Sequence, residues 1–262
     1  MLEQGSGAAC TLDFSSCRYL GPDAAALIYA VWLEADRLGQ HPRVVLPQDP
    51  PQLQAFCSFS NLAHLLEGAP PVDQNHPQSE TVPLRQFSGA LWTEPNAVID
   101  LVKKHVDFST EQEDYLRTCM NEVVQNIADH ARSHIGGVWC ARFISSADEV
   151  RVAIVDRGLG ILETLRKRYP QIISSRQALQ CVFQGNYSSK SHKRNMGVGI
   201  SNLARIISYK RGNLCIFTGN AYADLTSSTP YFREGDFFFP GTAVFFTLSA
   251  MSDRKEPGGD DE

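Results

Sequence analysis

The sequence lacks several features that would each assign it to a class of protein. No run approaches the roughly 18 consecutive apolar residues that span a membrane, and the opening segment MLEQGSGAAC has neither the charged nor the apolar part of a secretion signal. Positive charge is not in excess, since 24 Lys and Arg stand against 29 Asp and Glu, a net charge of −5. These absences predict a cytoplasmic protein that binds neither a membrane nor nucleic acid.

The seven cysteines follow no pairing pattern, because none forms a CxxC pair and none stands beside a cluster of histidines. An odd number of widely spread cysteines is typical of reduced thiols and argues against a disulfide framework or a zinc site. With 43% hydrophobic residues, the chain has the composition of an ordinary globular protein.

Composition divides the chain into two folded parts. The segment GAPPVDQNHPQSETVP is rich in proline and poor in apolar residues, which indicates a connector over 69–84. Before it, 10–68 show a βαβα pattern that predicts a parallel pair of strands joined by a right-handed crossover. After it, 85–250 predict helices around a mixed, mostly antiparallel sheet, and 251–262 a flexible tail. The expected fold class is α/β (α+β), ending in an α/β sandwich.

Polar side chains interrupt the apolar pattern MNEVVQNIADHA of a long predicted helix, for which Ser109 and Thr110 are candidate caps. Glu122, Asn126 and Asp129 are spaced i, i+4 and i+7, so the helical period places them on one face. The ordinary interpretation is a solvated surface. The alternative is a site built on this helix.

A second candidate follows the predicted strand EVRVAIVD, which ends directly in DRGLG. Asp156 then stands at a strand end, where its carboxylate can accept a hydrogen bond from an exocyclic amine. Gly158 and Gly160 allow the backbone to come close to a ligand. A simple turn is the alternative, because Asp and Gly are common turn residues.

A third candidate is the basic, serine-rich stretch NYSSKSHKRNMGVGISNLARI. Lys190, Lys193 and Arg194 precede the turn Gly197–Gly199, which opens a predicted helix. Free N–H groups and the positive end of the helix dipole make such a junction an anion site. A solvated basic loop is the alternative.

In this order, and with a last strand that opens Gly-Thr, the motifs E-x-x-x-N, D-x-G-x-G and G-x-G resemble those of the GHKL ATPase superfamily, which includes gyrase, the large heat-shock chaperones, histidine kinases and MutL. The resemblance covers about 85–250. It implies a Bergerat-type α/β sandwich that binds ATP and Mg²⁺.

The resemblance also implies a role for each residue of the helix stripe. Glu122 is the catalytic base, which orients water or a hydroxyl toward the γ-phosphate. Asn126 supplies an oxygen ligand to Mg²⁺, which is typically bound through few protein groups. Asp129 holds a magnesium-bound water or braces the helix, and His130 is expected to pack rather than to react.

In the same way, Asp156 binds the adenine amine with help from Thr242, while Gly158 and Gly160 shape the base pocket. A lid closes over the phosphates, bringing charged side chains and backbone N–H groups to them. Its nucleotide-binding residues are Lys190, Lys193, Arg194, Gly197, Val198 and Gly199. No histidine has the sequence context of a kinase phosphoacceptor, so a self-phosphorylating sensor kinase is not expected.

The N-terminal part resembles the later half of a STAS domain, the fold of anti-sigma-factor antagonists. Gly21, Pro22 and Asp23 occupy the place of the serine that is phosphorylated in that family, so this unit should not accept phosphate. The front strands of a full STAS domain are missing, which leaves an edge open for the second domain or a partner.

Together, the two resemblances imply a bacterial partner-switching system. The first hypothesis is an Mg-ATP-dependent ATPase or serine/threonine protein kinase that acts on a STAS-like antagonist or another protein regulator. The alternatives are an ATP-responsive protein-binding switch with little or no catalysis, and a scaffold with a vestigial pocket. Formation of a homodimer is left open.

Overall fold

The chain folds as an α+β sandwich, which confirms the predicted fold class. The computed structural model describes residues 10–69, 80–89, 95–184, 198–226 and 229–250. The strands are β1 Thr11–Asp13, β2 Arg43–Val45, β3 Thr81–Phe87, β4 Gly137–Ile144, β5 Glu149–Asp156, β6 Leu214–Leu225 and β7 Tyr231–Ser249. The helices are α1 Pro22–Arg37, α2 Pro51–Phe59, α3 Leu62–Glu67, α4 Asn96–His105, α5 Thr110–Asn126, α6 Gly160–Arg166, α7 Ser175–Phe183 and α8 Val198–Tyr209. A π-helical turn, Ile127–Ala131, extends α5.

The strands form two sheets. The larger one has five strands in the order β3-β4-β5-β7-β6, and all neighbours in it are antiparallel. In the smaller sheet β1 and β2 are parallel, as the N-terminal βαβ pattern predicts.

Strand β5 lies at the centre of the larger sheet and is buried on both faces. Its side chains alternate between the faces, since successive residues of a strand point in opposite directions. Val152 and Ile154 join a core formed with α4, α5 and α8, whereas Ala153 and Val155 join a core formed with α1. The strand therefore separates two helical layers, and its carboxyl end lies where both layers meet the sheet.

The N-terminal unit shares its hydrophobic core with the five-stranded sheet. Helix α1 packs against β4 and β5, and its side chains belong to one cluster with Val138 and Cys140 of β4. Ala25, Ala26 and Ala30 of α1 are fully buried in this cluster. Such small side chains allow the helix to lie close to the sheet.

Strand β3 begins at Thr81, inside the segment that was predicted as a connector. Pro83 favoured a loop in the sequence because it cannot donate a hydrogen bond to a neighbouring strand. Strand β3 is at the edge of the sheet, where proline is tolerated, and its register shifts between Val82 and Arg85.

Three further elements differ from the predicted pattern. The last helix of the predicted βαβα unit covers QLQAFCSFSNLAHLL as one element. It is divided into α2 and α3, because Asn61 between them adopts a left-handed conformation with φ of 62°. Helix α6 was not predicted. Strand β7 starts at Tyr231, so Gly241 lies within the strand and does not open it.

The shared core predicts that enlarging a buried alanine of α1 will destabilise the whole chain. We expect Ala26→Leu to lower the free energy of unfolding by about 1–3 kcal/mol, because the added atoms have no space against the sheet. Urea denaturation followed by circular dichroism measures the change. Val31→Leu is the matched control, since Val31 on the same helix is 36% exposed. An equal effect of both substitutions would contradict a core between α1 and the sheet.

Candidate functional site

A cavity opens between the helical layer and the end of the five-stranded sheet. Its empty volume is about 780 Å³, which includes the open mouth. Four elements of the helical layer and two strands contribute to its walls. The lining residues are Val123, Asn126, Ile127, His130, Ala131, Asp156, Gly160, Ile161, Thr164, Leu165, Val182, Ile200, Thr242 and Val244.

Helix α5 provides one wall. It begins at a capping box in which the Ser109 hydroxyl accepts a hydrogen bond from the backbone N–H of Gln112, while the Gln112 side chain accepts one from the N–H of Ser109. The predicted cap at Ser109 is therefore confirmed. Apolar side chains such as Val123 and Val124 bury the helix against the sheet.

The π-helical turn decides which polar residues of this helix reach the cavity. Its i→i+5 hydrogen bonds advance the chain through a smaller angle per residue than an α-helix does. Asn126 and His130 line the cavity. Asp129 is exposed on the outside, where it accepts a hydrogen bond of 2.7 Å from Gln125. Of the predicted stripe, therefore, Asn126 faces the cavity and Asp129 braces the helix end.

Glu122 lies one turn before Asn126, beside the first turn of α8, and is not among the cavity-lining residues. A Cβ atom on Gly199 would stand 2.7 Å from Oε2 of Glu122 and 2.8 Å from its Cβ. Only glycine at position 199 leaves room for this carboxylate. The sequence motifs that contain Glu122 and Gly199, which are 77 residues apart, thus meet directly in the fold.

Asp156 is the charged group at the closed end of the cavity. Its side chain is only 2% exposed. Oδ1 accepts a hydrogen bond of 2.7 Å from the N–H of Gly158, and Thr242 adds bonds from its backbone and side chain. Burial raises the pKa of Asp156 to about 6, although the hydrogen bonds from Gly158 and Thr242 act in the opposite direction. The carboxylate is therefore held in place and is a strong acceptor above this pH.

The two glycines after Asp156 are needed for close packing of the protein itself. Any Cβ on Gly158 would overlap the carbonyl oxygen of Ala131, which accepts a hydrogen bond of 2.7 Å from the N–H of Leu159. Gly160 has a φ of +75°, and a Cβ there would stand 2.8 Å from the hydroxyl of Thr218. The sequence motif predicted either a ligand site or a simple turn, and neither interpretation included these contacts with the helix end and the sheet.

Some predicted site residues lie outside the described part of the chain. These are Lys190, Lys193, Arg194 and Gly197. Val198 is the first residue of α8, and Gly199 follows it as a buried residue.

The sequence motifs predict little of the cavity wall, because most of the wall consists of apolar residues that form no distinctive sequence pattern. Val123 and Ile127 are four residues apart and share one side of the helix, where the apolar pattern predicts a core; that side also borders the cavity. Ile161, Thr164 and Leu165 come from α6, which was itself not predicted.

The cavity suits a flat, largely apolar group that carries a hydrogen-bond donor. Its wall consists mainly of aliphatic side chains, with the carboxylate of Asp156 and the polar group of Thr242 at one end and Asn126 on the facing helix. Few, well-placed polar groups in an apolar pocket are typical of small-molecule sites. Within the described ranges, no group of three or more His, Cys, Asp or Glu residues could hold a metal ion.

Comparisons with solved structures give a weak resemblance, whereas the other comparisons find nothing. No family model matches the chain, and no curated protein matches it. Among solved structures, it is similar to the histidine kinase domain of the blue-light activated histidine kinase EL346 from Erythrobacter litoralis. The identity is 13% and the TM-score 0.30, over 88% of this chain and 87% of that one. A similarity this low assigns no function.

In the described part of the chain, no helix combines the length and the apolar character needed to cross a membrane.

Burial of Asp156 predicts a pH dependence of stability. The folded state raises its pKa from 3.8 to about 6, so the protonated form stabilises the fold at low pH and this contribution is lost as the pH rises through about 6. Each pKa unit is worth about 1.4 kcal/mol, which limits the effect to about 3 kcal/mol. We expect the stability of the wild type relative to Asp156→Asn to fall between about pH 4 and pH 6 in urea denaturation without ligand. Parallel pH profiles for the two proteins would contradict a buried, titrating Asp156.

Proposed function

We propose that the chain binds Mg-ATP in this cavity, in the manner of the GHKL ATPases, and uses it as an ATPase or serine/threonine protein kinase in a bacterial regulatory system. The observation that carries the proposal is the buried carboxylate of Asp156 at the closed end of an apolar cavity, opposite Asn126. A buried carboxylate is costly unless a ligand or the protein gains from it.

Adenine fits the chemistry of the closed end. Its exocyclic amine can donate to the carboxylate of Asp156, which also accepts hydrogen bonds from Gly158 and Thr242. The flat ring would lie against the aliphatic side chains that form most of the wall. Guanine carries a carbonyl oxygen at the corresponding position, which the carboxylate would repel. The site should therefore prefer ATP to GTP.

The polyphosphate and its metal would lie toward Asn126 and Glu122. When bound with ATP, Mg²⁺ bridges phosphate oxygens and neutralises charge that develops during transfer. Asn126 offers a side-chain oxygen at the cavity wall, which suits a metal that takes few protein ligands. Glu122, one helical turn away, would accept a proton from the attacking water or hydroxyl group.

The protein partner of such a kinase would be a STAS-like antagonist or another regulator. This part of the proposal is supported by the pairing of a STAS-like N-terminal unit with a nucleotide site in one chain. If Glu122 supports no turnover, the same cavity would serve an ATP-responsive protein-binding switch.

The proposed adenine contact is tested by nucleotide affinity. We expect Asp156→Asn to weaken the binding of Mg-ATP at least about 10-fold in isothermal titration calorimetry, because a hydrogen bond to a charged group is worth about 1.5–3 kcal/mol. The preference for ATP over GTP should shrink as well. Asp129→Asn is the control, since this carboxylate lies outside the cavity. Unchanged affinity in Asp156→Asn would overturn the proposed site.

Catalysis is tested separately through Glu122. We expect Glu122→Gln to leave the affinity for Mg-ATP nearly unchanged and to slow phosphate release or protein phosphorylation by about 100-fold or more, the usual contribution of a general base. Glu163→Gln is the matched control, because Glu163 is an exposed glutamate paired with Arg166. A wild-type chain that binds ATP but transfers no phosphoryl group, even with protein partners, would favour the switch over the enzyme.

A further inference from the structure

Asp156 and Arg157 face opposite layers of the structure. Asp156 continues the alternation of Val152 and Ile154 and enters the cavity. Arg157 is the next residue, and its guanidinium carbon lies 5.4 Å from the centre of the Phe239 ring. Phe239 packs against the cluster that contains α1 of the N-terminal unit. One dipeptide thus contacts the cavity with one side chain and the N-terminal layer with the other.

From that layer, the charge of Glu34 on α1 acts on Arg157. A hydrogen bond from Arg37 lowers the pKa of Glu34, and the charges of Arg157 and His134 lower it further. Burial lowers the pKa of Arg157, while the charges of Glu34 and Asp156 act in the opposite direction. Arg157 therefore lies in the field of two carboxylates, one on each side of the sheet.

The backbone around Arg157 leaves little freedom for independent movement. Its N–H donates to the hydroxyl of Ser133 at 3.3 Å, the N–H of Gly158 donates to Asp156, and the N–H of Leu159 donates to Ala131. Three consecutive N–H groups are thus fixed. In such a closely packed segment, a shift of the Arg157 side chain has to move the carboxylate of Asp156 or its hydrogen bonds.

We propose that Arg157 is a positioning residue of the nucleotide site, through which Glu34 and Phe239 of the opposite layer set the affinity for adenine. The inference rests on the proposed function of the cavity. It gives the N-terminal unit a role in that function, because a partner that displaces α1 would remove the charge of Glu34 from Arg157. The coupling acts through the orientation of Asp156 and needs no contact between Arg157 and the ligand.

The test measures the affinities of Mg-ATP and of adenosine in calorimetry, using the full chain. We expect Arg157→Met to weaken both ligands by a similar factor of about 5 to 30, within the usual range of coupling through packed side chains. If Arg157 instead contacted the phosphates directly, the substitution would weaken the binding of ATP but not that of adenosine. Arg157→Lys should recover part of the affinity, because it keeps the charge but not the planar stacking on Phe239.

Glu34 provides an independent arm of the same experiment. Glu34→Gln should weaken the binding of both ligands by a smaller factor. The double variant with Arg157→Met should bind them no more weakly than Arg157→Met alone. Arg18→Met is the matched control, since Arg18 belongs to the same N-terminal unit, has a side chain that is 81% exposed and pairs with Asp49. It should leave both affinities unchanged. Thermal unfolding of each ligand-free variant identifies any general loss of stability.

The outcomes separate this inference from the proposed function. If Asp156→Asn abolishes binding while Arg157→Met and Glu34→Gln do not alter it, the cavity is the nucleotide site and the role of Arg157 is wrong. Additive losses in the double variant would also overturn the coupling. If Asp156→Asn has no effect on binding, the proposed function itself fails.

Discussion

The burial of one carboxylate, that of Asp156, constrains much of the surrounding structure. An ionised group is tolerated in the interior only when hydrogen bonds replace its lost hydration. The chain supplies them from Gly158 and Thr242, on two different segments. Gly158 can turn its N–H back to the carboxylate because, without a Cβ, it fits against the carbonyl oxygen of Ala131. The position of the carboxylate, the end of α5 and the entry of α6 are thereby fixed together.

The end of α5 illustrates how a local irregularity shapes a site. A regular helix would continue the face that Glu122 and Asn126 begin, and would carry Asp129 along it. The π-helical turn instead directs His130 to the cavity and Asp129 to the surface. Such turns are rare in proteins overall, and those that occur are frequently found at functional sites. Here the turn also brings the carbonyl of Ala131 to the N–H of Leu159, which joins the helix to the loop that follows β5.

The N-terminal unit completes the second face of the sheet. Without α1, Val155 and Cys140 would expose apolar surface, since both are fully buried beneath that layer. A large uncovered apolar patch usually marks a binding surface. In this chain that face is covered by its own N-terminal residues, and the proposed coupling acts through the packing of α1 on the sheet and the charge of Glu34 on Arg157. The folding of the two parts is therefore coupled through the core that α1 shares with β4 and β5.

The sequence by itself determined the elements whose signal is local. The apolar stretches VWCARFI and EVRVAIVD predicted β4 and β5, and the cap at Ser109 predicted the start of α5. The motifs around Asn126 and Asp156 identified residues that do meet at one cavity. Other features depend on contacts between distant segments and left no local signal. Strand β3 exists because an edge position tolerates Pro83, Asn61 divides a helix that the apolar pattern makes continuous, and the π-helical turn changes which residues face the cavity. The same holds for Gly158 and Gly199, whose missing side chains make room for Ala131 and Glu122. Periodicity and composition act over a few residues, whereas close packing is decided only when segments far apart in the chain come together.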